Sequence, residues 1–150
     1  MLKLSRKTLL ALEAVIDIAF NARPEPVQAK EITARQGVPQ RYLEQVMQQL
    51  VRAGILKGVR GPRGGYRLAK ERRRISVGDI VRAAELAEDE TGEEALPRSE
   101  LGMRIVTPFI QTMQDEIMAR LEAITVEDLC QKARNAGVSA NDHDTADFTI

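Results

Sequence analysis

Apolar residues recur every three or four positions along several stretches of the chain, a spacing that predicts amphipathic helices. The first stretch covers residues 8–20, and two shorter ones cover residues 29–36 and 40–53. Gly37 lies between the two shorter stretches, and glycine readily adopts the positive φ that ends a helix and turns the chain. The pattern therefore predicts an initial helix followed by a helix–turn–helix pair.

The second helix of this pair is expected to have two contrasting faces. The apolar face should be buried and consists of Leu43, Val46, Met47, Leu50 and Val51. The opposite face is polar and carries Gln40, Arg41, Glu44, Gln45 and Gln48.

The helical repeat stops at Gly54, and residues 55–60 and 66–69 are predicted to form two short β-strands. The stretch between them is rich in glycine and proline, as is typical of a hairpin tip. This predicted hairpin is called the wing (residues 55–69), and the ring of Tyr66 is expected to pack beneath it. The predicted fold class is therefore mainly α with a small β-hairpin, a winged helix-turn-helix.

Two pairs of residues have the spacing of a helix-capping box, Ser76 with Asp79 and Thr125 with Asp128. Each pair predicts the start of a helix. Between them a long helix is predicted at about residues 100–123, with apolar positions spaced as in a helix–helix seam. Pro108 lies within it and either kinks it or marks its true start.

These elements divide the chain into four predicted parts: a winged helix-turn-helix domain (1–87), an acidic loop (88–102), a dimerisation helix with a short C-terminal helix (103–136) and a flexible tail (137–150).

The net charge of zero hides an uneven distribution. Residues 1–75 hold 16 Lys/Arg and 6 Asp/Glu, a balance of +10, whereas residues 76–150 hold 6 and 16, a balance of −10. A strongly basic half indicates a polyanionic partner. Together with the helix–turn–helix and the wing, it predicts binding to double-stranded DNA.

Base contacts are predicted on the polar face of the second helix, because a helix fits the major groove. Arg41 can bond guanine or phosphate, Glu44 can accept from cytosine, and Gln45 can read adenine. Arg60 and Arg63 are expected in a minor groove, where negative potential attracts arginine. Phosphate contacts are expected from the basic residues that follow, Arg67, Lys70 and residues 72–74. The full predicted DNA-binding set is Gln40, Arg41, Tyr42, Glu44, Gln45, Gln48, Arg60, Gly61, Arg63, Arg67 and Lys70.

Other classes of function are less compatible with the residues. No apolar run is long enough to cross a membrane, and Glu13 and Asp17 follow the basic N-terminus too soon for a signal peptide. One cysteine cannot form an internal disulfide, which fits the cytoplasm. No nucleophile–base pair is apparent and the chain has one histidine, so we do not expect an enzyme.

Three stretches resemble the Rrf-type (IscR-like) bacterial transcription regulators, namely Tyr42-Leu43-Glu44-Gln45, the wing stretch from Val59 to Tyr66, and Ser76-Val77-Gly78-Asp79-Ile80. The resemblance spans roughly residues 1–135. It implies a palindromic operator, usually repression, base contacts by Glu44 and Gln45, and entry of Arg60 into the minor groove. It also implies a homodimer built on the long helix, which assigns an interface role to Phe109, Ile110, Met113, Ile117 and Leu121.

The chain departs from that family in one respect. Many members hold an iron–sulfur cluster with three cysteines between the wing domain and the dimer helix. Residues 88–102 contain no Cys and no His, and such a cluster needs about three or four thiolates. We therefore expect no cofactor and no metal site, with Cys130 packed as a small hydrophobe. The effector, a small molecule or a partner protein, stays unknown.

Two alternatives remain open on the sequence alone. The first is an atypical iron–sulfur or redox-sensing regulator that uses Cys130 and carboxylates as ligands. The second is a protein-interaction module that keeps the fold and has lost DNA binding. Absorption spectra after anaerobic purification test the first, and charge reversal of Arg60 and Arg63 tests the second.

Overall fold

Six α-helices and one antiparallel hairpin form the part of the chain that the computed structural model describes, residues 4–86 and 96–140. In chain order the elements are α1 (Arg6–Phe20), α2 (Ala29–Gln36), α3 (Gln40–Arg52), β1 (Leu56–Val59), β2 (Gly65–Leu68), a 3₁₀ turn (Arg72–Arg74), α4 (Val77–Leu86), a π-helical segment (Gly102–Val106), α5 (Thr107–Glu122) and α6 (Val126–Asn135). The predicted fold class, mainly α with a small hairpin, is confirmed.

Helix α1 is the central element, in contact with α3, α4, α6 and β2. Its start is capped, because the Ser5 hydroxyl accepts a hydrogen bond from the Thr8 backbone N–H at 3.3 Å. Its buried face includes Ala11, Ala14 and Val15, each 0% exposed. Small side chains on this face let neighbouring helices approach closely, so the core forms around α1.

Two ion pairs fix α2 against α1 and the loop between them. The Arg35 guanidinium donates to both carboxylate oxygens of Asp17, at 2.8 and 2.6 Å. Arg23 donates to both carboxylate oxygens of Glu31, at 2.8 and 2.7 Å. Gly37 then turns the chain with φ of +70°, as its place between the two helices predicts. Pro39 precedes α3 as its N-cap residue.

The wing forms with Leu56 opposite Leu68 and Val59 opposite Gly65. Strand β1 is shorter than predicted, and β2 begins and ends one residue earlier than predicted. A third segment joins them, because Val27 and Tyr66 exchange backbone hydrogen bonds of 3.0 and 2.8 Å. This approach requires glycine at position 65, where a Cβ atom would collide with the carbonyl group of Val27. The wing is therefore tied to the residue stretch that leads into α2.

Both predicted capping boxes are present. Ser76 and Asp79 exchange two backbone–side-chain hydrogen bonds of 3.0 Å, and Thr125 and Asp128 exchange bonds of 2.9 and 3.1 Å. The two helix starts also pair with each other as an isolated antiparallel bridge between Ser76 and Thr125. The beginnings of α4 and α6 are thus joined through the backbone.

The long predicted helix is confirmed, with a local widening that the sequence analysis did not anticipate. Glu100 and Leu101 are already helical, within the end of the predicted acidic loop. Next comes the π-helical segment, in which the Thr107 N–H bonds to the Gly102 carbonyl five residues earlier. Because proline lacks an N–H and crowds the carbonyl four residues before it, this wider turn accommodates Pro108 without breaking the helix.

Several predictions fall outside the described residues. They include most of the acidic loop (residues 87–95), most of the tail (141–150) and the first three residues. Within the described ranges, no helix combines the length and the apolar character needed to span a membrane.

Candidate nucleic-acid interface

Helix α3 presents the polar face that the sequence predicted. Leu43, Val46, Met47 and Leu50 are at most 1% exposed, and they anchor the helix in the core. Val51, predicted to be buried, is only half-buried against that core. The side chains of Gln40, Arg41, Gln45 and Gln48 are exposed on the opposite side.

Two members of the predicted DNA-binding set are more buried than the rest. Tyr42 is half-buried and packs against the hydrophobic core. Glu44 is also half-buried, and its carboxylate accepts a hydrogen bond from the Gln40 side chain at 3.0 Å. Gln40 thus orients the Glu44 side chain, one helical turn away, and supplies one hydrogen-bond donor to its carboxylate.

A groove of about 560 Å³ separates α3 from the wing. Gln40 and Glu44 form one wall, and Arg60 and Pro62 form the other. Tyr66 also lines the groove and packs against the core as predicted, and burial followed by the nearby Glu44 charge raises the pKa of its hydroxyl. Helix α3, which is the predicted recognition helix, and the wing therefore lie side by side.

The wing tip presents its two arginines to solvent. Gly61 has φ of +115°, and its carbonyl accepts a hydrogen bond from Gly64 N–H at 2.9 Å, which closes the turn. A side chain at Gly64 would collide with the Val59 carbonyl group, so the tip stays narrow. Arg60 and Arg63 are exposed and form no ion pair with the described residues.

Lys30, at the start of α2, was missed by the sequence analysis. It lines the α3–wing groove together with Gln28, and both residues also line a second groove, of about 450 Å³, together with Arg63, Glu25 and Glu31. Lys30 is exposed and pairs with no carboxylate in the described part of the chain. The available signal was a lysine in the first turn of the helix that precedes the recognition helix.

The residues expected to bind phosphate after the wing tip have different surroundings. Arg67 donates to the Pro24 carbonyl on the loop after α1. Lys70 lines a separate groove, of about 290 Å³, beside α4 with Asp79 and Arg82. The guanidinium of Arg72 forms an ion pair with Glu127 at 2.8 Å.

Helix α5 carries an uncovered apolar face. Of the residues predicted for dimerisation, Phe109 is 60% exposed, Ile117 is 43%, Ile110 is 39% and Met113 is 38%. Leu121 is half-buried. The face extends onto the π-helical segment through Met103 and Val106, which are 60% and 45% exposed. Contiguous exposed apolar surface of this kind marks an interaction site.

Cys130 lies in the core and is 0% exposed. Burial raises the pKa of its thiol, although a hydrogen bond from Arg72 acts in the opposite direction. Within residues 4–86 and 96–140, no three His, Cys, Asp or Glu side chains converge as metal ligands would.

Comparison with known proteins identifies relatives along almost the whole chain. HTH-type transcriptional regulator IscR of Cronobacter sakazakii is 31% identical over 97% of this chain and 90% of its own. The solved structure titled T. potens IscR has a TM-score of 0.72 at 34% identity and covers 93% of this chain and 94% of that one. The solved structure of CymR, titled the global cysteine regulator of B. subtilis, has a TM-score of 0.67 at 32% identity, covering 88% and 98%.

The matching family model, Rrf2, is described as an iron-dependent transcriptional regulator and covers residues 4–132. The wing, the helix–turn–helix and the long helix all lie within that range. By its sequence and by its fold, the chain belongs to the Rrf2 family of DNA-binding transcription regulators.

Proposed function

We propose that this regulator binds a palindromic operator as a homodimer and represses transcription, without the usual iron–sulfur cluster. The observation that carries the proposal is that several basic residues around α3 and the wing have no carboxylate partner among the described residues. Lys30 lines both grooves, Arg60 lines the α3–wing groove and Arg63 lines the second groove. Arg41 is exposed on the polar face of α3. None of the four has a carboxylate partner among the described residues. Cations left unpaired on one surface are available to phosphates and bases.

The arrangement supports a division of labour between α3 and the wing. The exposed start of α3 offers Arg41 and Gln45 to base edges in a major groove, where each base pair has its own donor and acceptor pattern. Arg60, across the groove from α3, is proposed to enter the neighbouring minor groove. Lys30 is proposed to contact the DNA backbone between them, which would add affinity without sequence choice.

The uncovered face of α5 supports a homodimer, and the proposed occupant is α5 of a second copy. A self-complementary helix seam satisfies the two-fold symmetry of a dimer. Two recognition helices related in this way lie about one DNA turn, roughly 34 Å, apart on an inverted repeat. A dimer that covers a promoter in this way would exclude the transcription machinery, which is the proposed basis of repression.

The residues present do not fit a cysteine-held cluster. The chain has one cysteine, and that cysteine is enclosed by the core beside Arg72. The proposed regulator therefore responds to another signal, a small molecule or a partner protein. Iron analysis of protein purified without oxygen tests this point: iron bound in stoichiometric amounts, together with operator affinity that depends on it, would contradict the proposal.

Selection of bound duplexes from a random DNA pool tests the proposed function directly. The expected product is an inverted repeat, with half-sites spaced by about ten base pairs or a multiple. A charge-reversed variant with Arg60→Glu and Arg63→Glu serves as the control and should recover no sequence. Enrichment of single, unpaired half-sites would argue against the dimer, and no enrichment by the parent protein would argue against operator binding.

A further inference from the structure

Arg72 is the residue through which the chain leaving the wing meets the last helix. Its guanidinium forms an ion pair with Glu127 of α6 at 2.8 Å and donates to the Ala19 carbonyl near the end of α1 at 3.4 Å. The buried Cys130 thiol lies near the same group. One side chain thus joins the 3₁₀ turn, α1 and α6.

Two further contacts reinforce this junction. Glu127 is held from its other side by Arg134 at 3.2 Å, so its carboxylate has a fixed orientation. The backbone next to Arg72 pairs with the start of α6, because Val126 N–H donates to the Ile75 carbonyl at 2.9 Å. The segment that follows the wing is therefore attached to α6 by both side chains and backbone.

Only three residues separate the end of β2 at Leu68 from Arg72. A change in the position of Arg72 is therefore transmitted to β2 over a short and ordered stretch, in which Ala69 N–H is still bonded to the Ile55 carbonyl at 2.9 Å. Arg73 and Arg74, in contrast, are exposed and have no ion-pair partner in the described ranges.

We infer that Arg72 is a positioning residue for DNA binding: its pairing with Glu127 lets α6 set the place of the wing relative to α3. The inference rests on the proposed minor-groove contact of Arg60. It assigns to α6, which lies away from the DNA-binding grooves, a part in operator affinity.

The first test compares the operator affinities of three variants, with the tightest duplex from the selection as probe. Arg72→Gln and Glu127→Gln are each expected to weaken binding about three- to tenfold. A loss of this size corresponds to the interaction energies seen between residues in contact. Arg52→Gln is the control for loss of an arginine, because Arg52 is exposed at the last position of α3 and lies outside the predicted DNA-binding set, so it should bind like the wild type. Glu127→Gln is the decisive variant, because removal of a negative charge would by itself strengthen binding to a polyanion.

The second test repeats the substitutions in an Arg60→Ala background. If Arg72 acts by placing the wing, Arg72→Gln should have little further effect once Arg60 is gone. A loss of equal size in both backgrounds would identify a general structural defect and overturn the inference. A salt dependence reduced by about one phosphate for Arg72→Gln, with Glu127→Gln unchanged or tighter, would identify Arg72 as a phosphate contact and overturn it too.

The outcomes also separate this inference from the function on which it rests. Weak binding by Arg60→Ala with normal binding by Arg72→Gln and Glu127→Gln would overturn the inference alone. Unchanged binding by Arg60→Ala would count against the minor-groove contact itself and remove both. If Arg72→Gln does not fold, Arg72→Lys replaces it in the test. Lysine can keep the ion pair with Glu127 but not the second hydrogen bond to the Ala19 carbonyl, so the loss of affinity should be smaller than that of Glu127→Gln.

Discussion

At the scale of single residues, the basic side chains fall into two groups that the sequence does not distinguish. Arg23, Arg35 and Arg72 are paired with carboxylates inside the fold, whereas Lys30 and Arg63 face solvent without such partners among the described residues. The sequence predicted the basic half and the wing arginines. It could not show that Lys30 is unpaired among the described residues or that Arg72 is paired with Glu127, because pairing depends on residues that lie far apart along the chain.

Lys30→Gln should weaken binding to every duplex by a similar factor, because a phosphate contact carries no base preference. The expected signature is a salt dependence of the binding constant that is shallower by about one phosphate. Lys132→Gln is the matched control, since Lys132 is an exposed lysine on α6, which packs on α1 and the 3₁₀ turn. Equal losses for the two variants, in titrations at several salt concentrations, would count against a local contact by Lys30.

Glu31 should contribute to stability in a pH-dependent manner. Its burial would raise its pKa, but hydrogen bonds from Arg23 and the Gln28 backbone outweigh burial, so the pKa lies below the usual 4.5. A carboxyl group with a lowered folded-state pKa stabilises the fold above its unfolded-state pKa, and this contribution disappears as pH falls through the lowered value. The stability difference between wild type and Glu31→Gln should therefore be full at neutral pH and shrink below about 4.5.

Urea unfolding from pH 7 down to pH 3 measures this difference. Glu25→Gln is the control, because its side chain is 62% exposed and lies 4.0 Å from the same arginine. Exposed pairs contribute little, so it should cost little stability over the range. A Glu31→Gln difference that stays constant with pH would be inconsistent with the ion pair as its source.

At the scale of elements, local signals predicted most of the fold. The capping boxes at Ser76 and Thr125 and the turn at Gly37 formed as expected, because each depends on residues within one helical turn. The pairing of Val27 with Tyr66 and the π-helical segment before Pro108 were not predicted. The first joins distant residues, and the second reflects how a helix adapts to a proline once its ends are fixed by packing.

Gly78→Ala should destabilise the contact between α4 and α5. An added Cβ would lie 3.0 Å from the Glu122 backbone nitrogen and 3.1 Å from its Cα, so backbone would have to move. Overpacking of this kind costs about 1–3 kcal/mol, which exceeds the gain of about 0.5–1 kcal/mol from replacing glycine by alanine in a helix.

Chemical denaturation measures the change, and Gly58→Ala is the control because nothing lies within 4 Å of a Cβ at that position. Gly58→Ala should leave stability unchanged or slightly higher. A Gly78→Ala variant as stable as the wild type would indicate that α5 shifts freely on α4.

At the scale of the whole molecule, the proposed dimer connects the uncovered face of α5 with DNA binding. Met113→Lys should give a monomer by analytical ultracentrifugation. It should also lose most of its operator affinity, because each monomer then binds a single half-site independently of the other. Ala119→Lys places the same side chain on an exposed part of α5, about 120° around the helix from Met113. It should remain dimeric, and a monomeric Ala119→Lys protein would locate the interface elsewhere.

If the apolar face of α5 pairs with a second copy as proposed, the stability of this protein depends on its own abundance. Pairing that requires the folded state shifts the folding equilibrium by mass action, so the midpoint of thermal unfolding should rise with protein concentration. In a cell with few copies, dilution would therefore lower occupancy of the operator in two ways. It would reduce the concentration of dimer, and it would reduce the fraction of the protein that is folded. Such a regulator would respond to its own synthesis rate more steeply than its DNA affinity alone implies.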